Sequence, residues 1–230
     1  MLQDLLDFLF PRNCACCEQL LVANERVICT PCRNDLPLTH SHLSNENPVK
    51  KLFYGRASIE NAMSLLIFQK KGITQRLMHS LKYKGNEEVG SVLGEWVALN
   101  LEQTFWHSEL DMVVPVPLHK KRFRERGYNQ VEGFGKAIAR RLEIPYNDKC
   151  LLKTRGVETQ VFKNLAARFK NVEHSFRITQ KQQEWKKLEG KHLLLVDDII
   201  TTGATLEICA NCLLEIPGTK VSVATMATTR

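Results

Sequence analysis

Two adjacent aspartates and the hydroxyl-rich turn after them carry the clearest chemical signal in the sequence. Asp197 and Asp198 follow the apolar run 193–196, which is typical of a strand buried on both faces of a parallel sheet. The sequence Ile-Ile-Thr-Thr-Gly-Ala-Thr comes next, and a helical pattern begins near Leu206. A turn that enters a helix N-terminus directs backbone N–H groups and the positive end of the helix dipole at one spot, and threonine hydroxyls add donors. These features predict a phosphate-binding loop.

The two carboxylates indicate what carries the phosphate. Carboxylates accept hydrogen bonds from sugar hydroxyls or hold a hydrated magnesium ion. The pair and the loop together therefore predict a phosphorylated sugar as ligand. A chance strand-turn-helix is the alternative, but it requires many elements to coincide. The predicted phosphate contacts are Thr201, Thr202, Gly203, Ala204 and Thr205.

Four N-terminal cysteines have the spacing of a zinc site. Cys14-x-x-Cys17 and Cys29-x-x-Cys32 are separated by a short gap, so four thiolates could surround one tetrahedral zinc ion. We predict a zinc ribbon or knuckle, which would fold with its metal because so short a segment has no core of its own. Free or redox-active cysteines are the alternative, and Cys16 is an additional thiol.

The composition is that of a globular protein with anionic partners. Of the 230 residues, 43% are hydrophobic and 25% charged, and no apolar run approaches the roughly 20 residues that span a bilayer. Asp4 and Asp7 interrupt the apolar N-terminus, which has no basic leader or cleavage site, so we expect no secretory signal and a cytoplasmic protein. The formal net charge of +7 favours phosphorylated metabolites, nucleic acid or an acidic membrane surface as partners.

Strand-like and helical patterns alternate over most of the chain. The predicted helices include 73–83, 87–103 and 131–142. The predicted strands include, in addition to 193–196, the stretches 58–68, 111–114 and 221–226. The stretch 36–53 contains proline, serine and asparagine and is typical of a linker or exposed loop. We therefore expect a zinc module and linker over 1–50. Over 51–230 we expect an α/β domain with a mainly parallel sheet flanked by helices.

A dense basic segment follows the predicted strand 111–114. Residues 115–118 read Pro-Val-Pro-Leu, which ends the strand because proline cannot continue a ladder. The basic residues would then lie at the rim where doubly wound sheets bind ligands, although a solvated surface is the alternative. Two interleaved aromatic residues also suit single-stranded nucleic acid. The candidate contacts are Lys120, Lys121, Arg122, Phe123, Arg124 and Tyr128.

The acid pair and its loop resemble the site for phosphoribosyl pyrophosphate (PRPP) in type I phosphoribosyltransferases, and the motifs together resemble the ComF (ComF/GntX) family. The motifs are the two Cys-x-x-Cys pairs, Leu81-Lys82-Tyr83-Lys84-Gly85, Val114-Pro115-Val116-Pro117, Arg126-Gly127-Tyr128-Asn129-Gln130, Arg155 with Thr159-Gln160, Arg168 with Asn171, and the acid pair with its loop. The resemblance covers nearly the full length. It implies a type I phosphoribosyltransferase fold with an N-terminal zinc-binding extension.

The resemblance also implies roles for residues outside the loop. The turn at Val116, Pro117 and Leu118 matches the place where such enzymes hold pyrophosphate, and Lys82 and Arg126 are candidate cations for that group. For Lys82, which lies near the end of a predicted helix, a purely structural role as a helix cap is the alternative.

The expected function is that of a PRPP-binding, phosphoribosyltransferase-like protein in natural competence, the uptake of DNA as a single strand into the cytoplasm. Asp197 and Asp198 would be the catalytic residues, zinc the structural metal, and magnesium the ion that accompanies PRPP. Single-stranded DNA and other competence proteins are the further partners that the family implies. The alternatives are a nucleic-acid-binding module and a PRPP-sensing regulator without turnover, because no base-recognition signature identifies an acceptor.

Overall fold

A four-stranded parallel sheet lies at the centre of the protein in this computed structural model, which describes residues 12–118, 124, 127–153, 176–179 and 182–229. The strands are β1 (Ala62–Ile67), β2 (Met112–Pro115), β3 (Leu151–Lys153), β4 (Phe176–Ile178), β5 (His192–Ile200) and β6 (Lys220–Thr228). The sheet has the order β1-β6-β5-β2 with every neighbouring pair parallel, while β3 and β4 form a separate antiparallel pair. The carboxyl ends of all four strands therefore lie at the same end of the sheet.

Helices cover both faces of this sheet. They are α1 (Thr30–Asp35), α2 (Pro48–Lys51), α3 (Ile73–Tyr83), α4 (Glu88–Leu101), α5 (Gln130–Arg141), α6 (Gln182–Lys186) and α7 (Ala204–Leu214), with short 3-10 helices at Ser41–Leu43 and His107–Glu109. The predicted fold class is confirmed: a parallel sheet with flanking helices, preceded by a four-cysteine module. Within the described residues, no helix is long and apolar enough to cross a membrane.

The side chains of β5 alternate between two hydrophobic cores. Leu194 and Val196 pack with α3, α4 and α5, whereas Leu193 and Leu195 pack with α7. This alternation is the period of a strand that is buried on both faces. It continues into the acid pair, so that Asp197 is on the α7 side and Asp198 on the α3 side.

The strand that carries the acid pair is longer than predicted. Instead of ending at Val196, β5 continues to Ile200, because Asp197, Ile199 and Ile200 remain in register with β6. The aspartates are thus held by sheet hydrogen bonds rather than lying in a free turn. The helix after the loop begins at Ala204 rather than near Leu206.

The stretch 36–53 is not the exposed linker that its composition predicts. The N–H of Thr39 donates to the carbonyl of Leu65 at 3.0 Å, and the N–H of Ile67 donates to the carbonyl of Pro37 at 2.8 Å. The segment therefore pairs with the edge of β1, and Phe53 is buried in the core. The boundary near residue 50 remains a prediction.

Candidate functional site

The acid pair lies at the carboxyl end of β5 in contact with one lysine. Asp197 Oδ1 accepts the N–H of Asp198 at 2.8 Å, and Asp198 Oδ1 accepts the N–H of Ile199 at 2.5 Å. Lys82 Nζ, from the last turn of α3, lies 2.5 Å from Asp198 Oδ2, and both of these side chains are 19% exposed. The structure thus brings Lys82, a candidate pyrophosphate contact, to the acid pair.

Burial and the neighbouring carboxylate make Asp197 difficult to ionise. Burial, together with the charge of the adjacent Asp198, raises the pKa of Asp197 to about 7, and Lys82 and Lys153 oppose the increase only in part. Near neutral pH, Asp197 is therefore partly protonated without a ligand. A divalent cation or a donating hydroxyl at this position would replace that proton.

The phosphate loop encloses a small cavity at the N-terminus of α7. The cavity is about 70 Å³ and is lined by Asp197 and residues 199–206. Gly203, the N-cap of α7, has φ +79°, a left-handed conformation that a glycine adopts without strain. The backbone N–H groups of Thr201, Thr202 and Gly203 donate to no backbone carbonyl within the described part of the chain. The loop therefore presents unpaired donors beside a positive helix end, as anion binding requires.

The turn after β2 lies beside the acid pair because β2 and β5 are neighbours. The N–H of Val116 donates to the carbonyl of Val196 at 2.9 Å, and the side chain of Asn129 donates to the carbonyl of Val116 at 3.3 Å. A larger cavity of about 350 Å³ adjoins this turn. It is lined by Pro115, Pro117, Leu118, Arg124, Asn129, Glu132, Tyr146 and Asp148. Its lining includes neither the aspartate pair nor the phosphate loop.

Several predicted contacts on the basic segment lie outside the described residues. They are Lys120, Lys121, Arg122, Phe123 and Arg126. Arg124 is exposed. Tyr128 is half-buried against the core on the α3 side, and its hydroxyl donates to the carbonyl of Leu81, so the ring lies close to the end of the helix that carries Lys82.

Arg56 contacts the phosphate loop and was not among the predicted site residues. Its guanidinium donates to the carbonyl of Thr202 at 2.7 Å and forms an ion pair with Glu207 in the first turn of α7. No sequence motif surrounds this arginine. It lies 146 positions before Thr202, so only the folded chain brings it to the site.

The four predicted zinc ligands converge on one point. The sulfur atoms of Cys14, Cys17, Cys29 and Cys32 all lie within 4.8 Å of one another, and tetrahedral zinc–thiolate bonds place sulfurs about 3.8 Å apart. Burial opposes ionisation of Cys14, but backbone N–H groups, including those of Cys29 and Cys16, lower its pKa to about 6. Burial raises the pKa of Cys16 to about 12, and its sulfur is not one of the four that converge. The residues present fit a structural zinc ion.

The cysteine module packs on α3 and α4. Arg76 Nε in α3 donates to the carbonyl of Cys16 at 2.7 Å, and Lys84 just after α3 pairs with Glu18. On α4, Glu88 forms an ion pair with Arg26, with 2.9 Å between Arg26 Nη2 and Glu88 Oε1. The module and the sheet therefore share one hydrophobic core.

Comparison with known proteins finds relatives both of the N-terminal cysteine module and of the chain as a whole. Residues 5–43 match the double zinc ribbon domain family. The DNA utilization protein YhgH of Escherichia coli O157:H7 is 27% identical over 91% of this chain and 87% of its own length. Competence protein F of Haemophilus influenzae is 31% identical over 42% of this chain and 41% of its own length. Competence protein ComFC of Bacillus subtilis is 27% identical over 66% of this chain and 60% of its own length.

Among solved structures, the chain matches phosphoribosyl-transferring enzymes with modest overlap. The glutamine PRPP amidotransferase from B. subtilis has a TM-score of 0.43 and 21% identity over 64% of this chain, but over only 30% of its own length. An adenine phosphoribosyltransferase has a TM-score of 0.40 and 19% identity over 62% of this chain and 71% of its own length.

The fold and the site define an α/β protein with a parallel sheet and an N-terminal four-cysteine module of the double zinc ribbon type. The parallel sheet carries the acid pair and the Thr-Thr-Gly-x-Thr loop at its carboxyl edge, and the cysteine cluster precedes it. Its relatives include competence protein F, ComFC and YhgH, so the resemblance predicted from the motifs is confirmed. The chain is thus similar to competence and DNA utilization proteins over most of its length.

Proposed function

We propose that this protein binds PRPP with magnesium at the carboxyl end of β5 and acts on nucleotides or DNA in natural competence. The observation that carries the proposal is the adjacency of three parts. The acid pair, the loop with unpaired N–H donors and the turn after β2 lie side by side, because β2 pairs with β5 and the loop follows β5 directly. The acid pair would meet the sugar of one PRPP molecule, the loop its 5-phosphate, and the turn its pyrophosphate.

Each part has a distinct task in this proposal. The loop 201–205 donates to the 5-phosphate, and Asp197 and Asp198 accept the ribose hydroxyls directly or hold magnesium. The turn at 116–118 receives the pyrophosphate, with Lys82 and Arg126 as its cations. Because Lys82 contacts Asp198, ligand binding would exchange this ion pair for contacts to the pyrophosphate.

The matching reaction is transfer of the phosphoribosyl group. The bond between C1 of the ribose and the pyrophosphate oxygen breaks with positive charge on the sugar and negative charge on the leaving group, and an acceptor atom then bonds to C1. Magnesium would neutralise charge on the leaving oxygens. Well-placed donors at that position are worth about 3 kcal/mol each, and no covalent nucleophile is required.

The names of the relatives support a link to DNA. YhgH is named for DNA utilization, and competence protein F and ComFC are named for competence. We therefore infer a cytoplasmic site of action and, as partners, single-stranded DNA and other competence proteins. The acceptor would come from nucleotides or from DNA itself.

Thermal unfolding with PRPP and magnesium tests the binding step. At a hundredfold excess over Kd, a ligand stabilises the folded state by about 2.7 kcal/mol, which corresponds to a rise of roughly 5–10 °C for a domain of this size. Asp198→Ala should abolish the rise. Asp111→Asn is the matched control, because Asp111 also pairs with a lysine, Lys191 at 2.8 Å, but lies just before β2 at the opposite edge of the sheet. The absence of a rise in the wild type would refute the proposal.

Release of pyrophosphate separates a transferase from a sensor. The protein is incubated with PRPP, magnesium and candidate acceptors, including nucleobases and a single-stranded oligonucleotide. Pyrophosphate that appears only with one acceptor identifies a transferase and its substrate. Binding of PRPP without release under every condition identifies a regulator.

A nucleic-acid-binding module is the second candidate function. On the exposed face of α3, the rings of His79 and Tyr83 lie with their centroids 4.9 Å apart, next to Lys84. Aromatic rings beside cations suit the stacking of unpaired bases. Binding to a single-stranded oligonucleotide should then weaken steeply with salt and on neutralisation of Lys121 and Arg122. Salt-independent binding would argue against this function.

A further inference from the structure

We propose that Arg56 is a positioning residue that holds the phosphate loop in the conformation that binds a 5-phosphate. The inference rests on the proposed PRPP site. Arg56 Nη1 donates to the carbonyl of Thr202 at 2.7 Å and to the carbonyl of Leu52 at 2.9 Å, while Nη2 pairs with the carboxylate of Glu207. One guanidinium thus connects the loop, the segment before β1 and the first turn of α7.

The hydrogen bond to Thr202 sets the direction of the next N–H group. In a trans peptide the C=O and N–H point in opposite directions, so a Thr202 carbonyl held at Arg56 aims the N–H of Gly203 away from Arg56. The cavity at the loop is lined by Asp197 and residues 199–206, and Arg56 is not part of this lining. The N–H of Gly203 is therefore available to the cavity.

The segment that carries Arg56 also packs against the phosphate loop through Leu52 and Phe53. A Cβ placed on Gly203 would lie 3.5 Å from the ring of Phe53 and 3.6 Å from the Cβ of Leu52, which are ordinary packing distances. The carbonyl of Arg56 accepts the side-chain N–H of Asn211 in α7 at 3.3 Å. These contacts fix the guanidinium relative to the loop before any ligand binds.

The role of Arg56 is geometric rather than a direct attraction for phosphate. Its charge is already paired with Glu207, and its donors point at backbone carbonyls outside the cavity. The effect of losing Arg56 should therefore be confined to ligands that use the loop. Pyrophosphate, which would bind at the turn after β2, should not depend on it.

Calorimetric titration of ribose 5-phosphate and of pyrophosphate, each with magnesium, tests this selectivity on the full zinc-loaded chain. Arg56→Ala should weaken ribose 5-phosphate by about 10- to 100-fold, the range for losing one well-directed donor to a charged group, and leave pyrophosphate unchanged. Arg56→Lys, which keeps one donor and the charge, should lie between wild type and Arg56→Ala. Arg140→Ala is the matched control, because it removes an arginine that pairs with Glu95 on the surface, and it should change neither ligand.

A second readout addresses the loop without any ligand. The amide resonance of Gly203 in ¹⁵N-labelled protein should move in Arg56→Ala and remain in place in Arg140→Ala. If the wild type binds neither ligand, the proposed function fails, while the Gly203 resonance still decides the role of Arg56.

Three results would overturn the inference. They are equal weakening of both ligands, an unchanged affinity for ribose 5-phosphate, and a Gly203 resonance that does not respond. If Arg56→Ala does not fold, Arg56→Lys with wild-type affinity for ribose 5-phosphate would overturn it as well.

Discussion

Replacing Asp197 by asparagine should stabilise the ligand-free protein, and increasingly so as the pH rises. Burial and the adjacent Asp198 raise the pKa of Asp197 from 3.8 in an unstructured chain to about 7 in the folded protein. Between these two values the folded protein holds a proton that the unfolded chain has released. The free energy of unfolding of the wild type therefore falls as the pH rises from about 4 to about 7, and then stops falling.

The size of the effect follows from that interval. At 1.36 kcal/mol per pH unit, a pKa of about 7 in place of 3.8 corresponds to about 4 kcal/mol at pH 8. Asparagine removes this cost and relieves Asp198, but it also loses the attraction between Asp197 and Lys82. We therefore expect a gain of about 2–4 kcal/mol at pH 8 and nearly none at pH 4.

Urea unfolding between pH 4 and pH 8 measures this difference. The protein is kept loaded with zinc and free of magnesium, and Asp148→Asn serves as the control because Asp148 is an exposed aspartate. The same Asp197→Asn variant should lose the thermal stabilisation by PRPP and magnesium, since the charge that destabilises the free protein would be the charge that the ligand uses. A stability difference from wild type that does not vary with pH would refute the reasoning.

Two further predictions concern the metal and the helix packing. Cys29→Ser should release the zinc ion and lower the melting temperature of the whole chain, whereas Cys16→Ser should retain one zinc per chain. Elemental analysis measures the zinc content and calorimetry the melting temperature. Equal loss of zinc in the two variants would contradict the ligand assignment. Gly94→Ala places a methyl group against the carbonyl oxygen of Phe134, too close for an ordinary contact, and should cost about 2–3 kcal/mol in urea unfolding. Gly133→Ala, on the facing helix, meets nothing closer than 3.2 Å and should cost much less; similar losses would show that α4 and α5 separate easily.

The parts of the site that are local in sequence could be predicted from it. The acid pair and the loop 201–205 are consecutive, and their chemistry depends on a strand end, a turn and a helix start that lie within one stretch. The cysteine spacing likewise fixes which four sulfurs can meet, and their convergence agrees with that prediction.

The contacts between distant segments could not be predicted. Lys82 and Asp198 are joined only because α3 packs on the face of β5 to which Asp198 points, and the same motif would also suit a simple helix cap. Arg56 has no motif of its own. The prolines and asparagines of the stretch 36–53 are typical of loops, but the edge of β1 supplies hydrogen-bond partners for its backbone, which its composition does not indicate.

The position of α3 explains how the zinc module and the site can depend on each other. Arg76 near its start and Lys84 just past its end both contact the module, through Cys16 and Glu18, and Lys82 between them contacts Asp198. We expect the module to fold only with its zinc ion, and it holds the helix that supplies the lysine to the acid pair. Without that lysine, the two carboxylates would repel each other with less compensation, and Asp197 would hold its proton more tightly. Loss of zinc should therefore affect not only the stability of the N-terminal segment but also the charge of the site, although the cysteines themselves lie outside it.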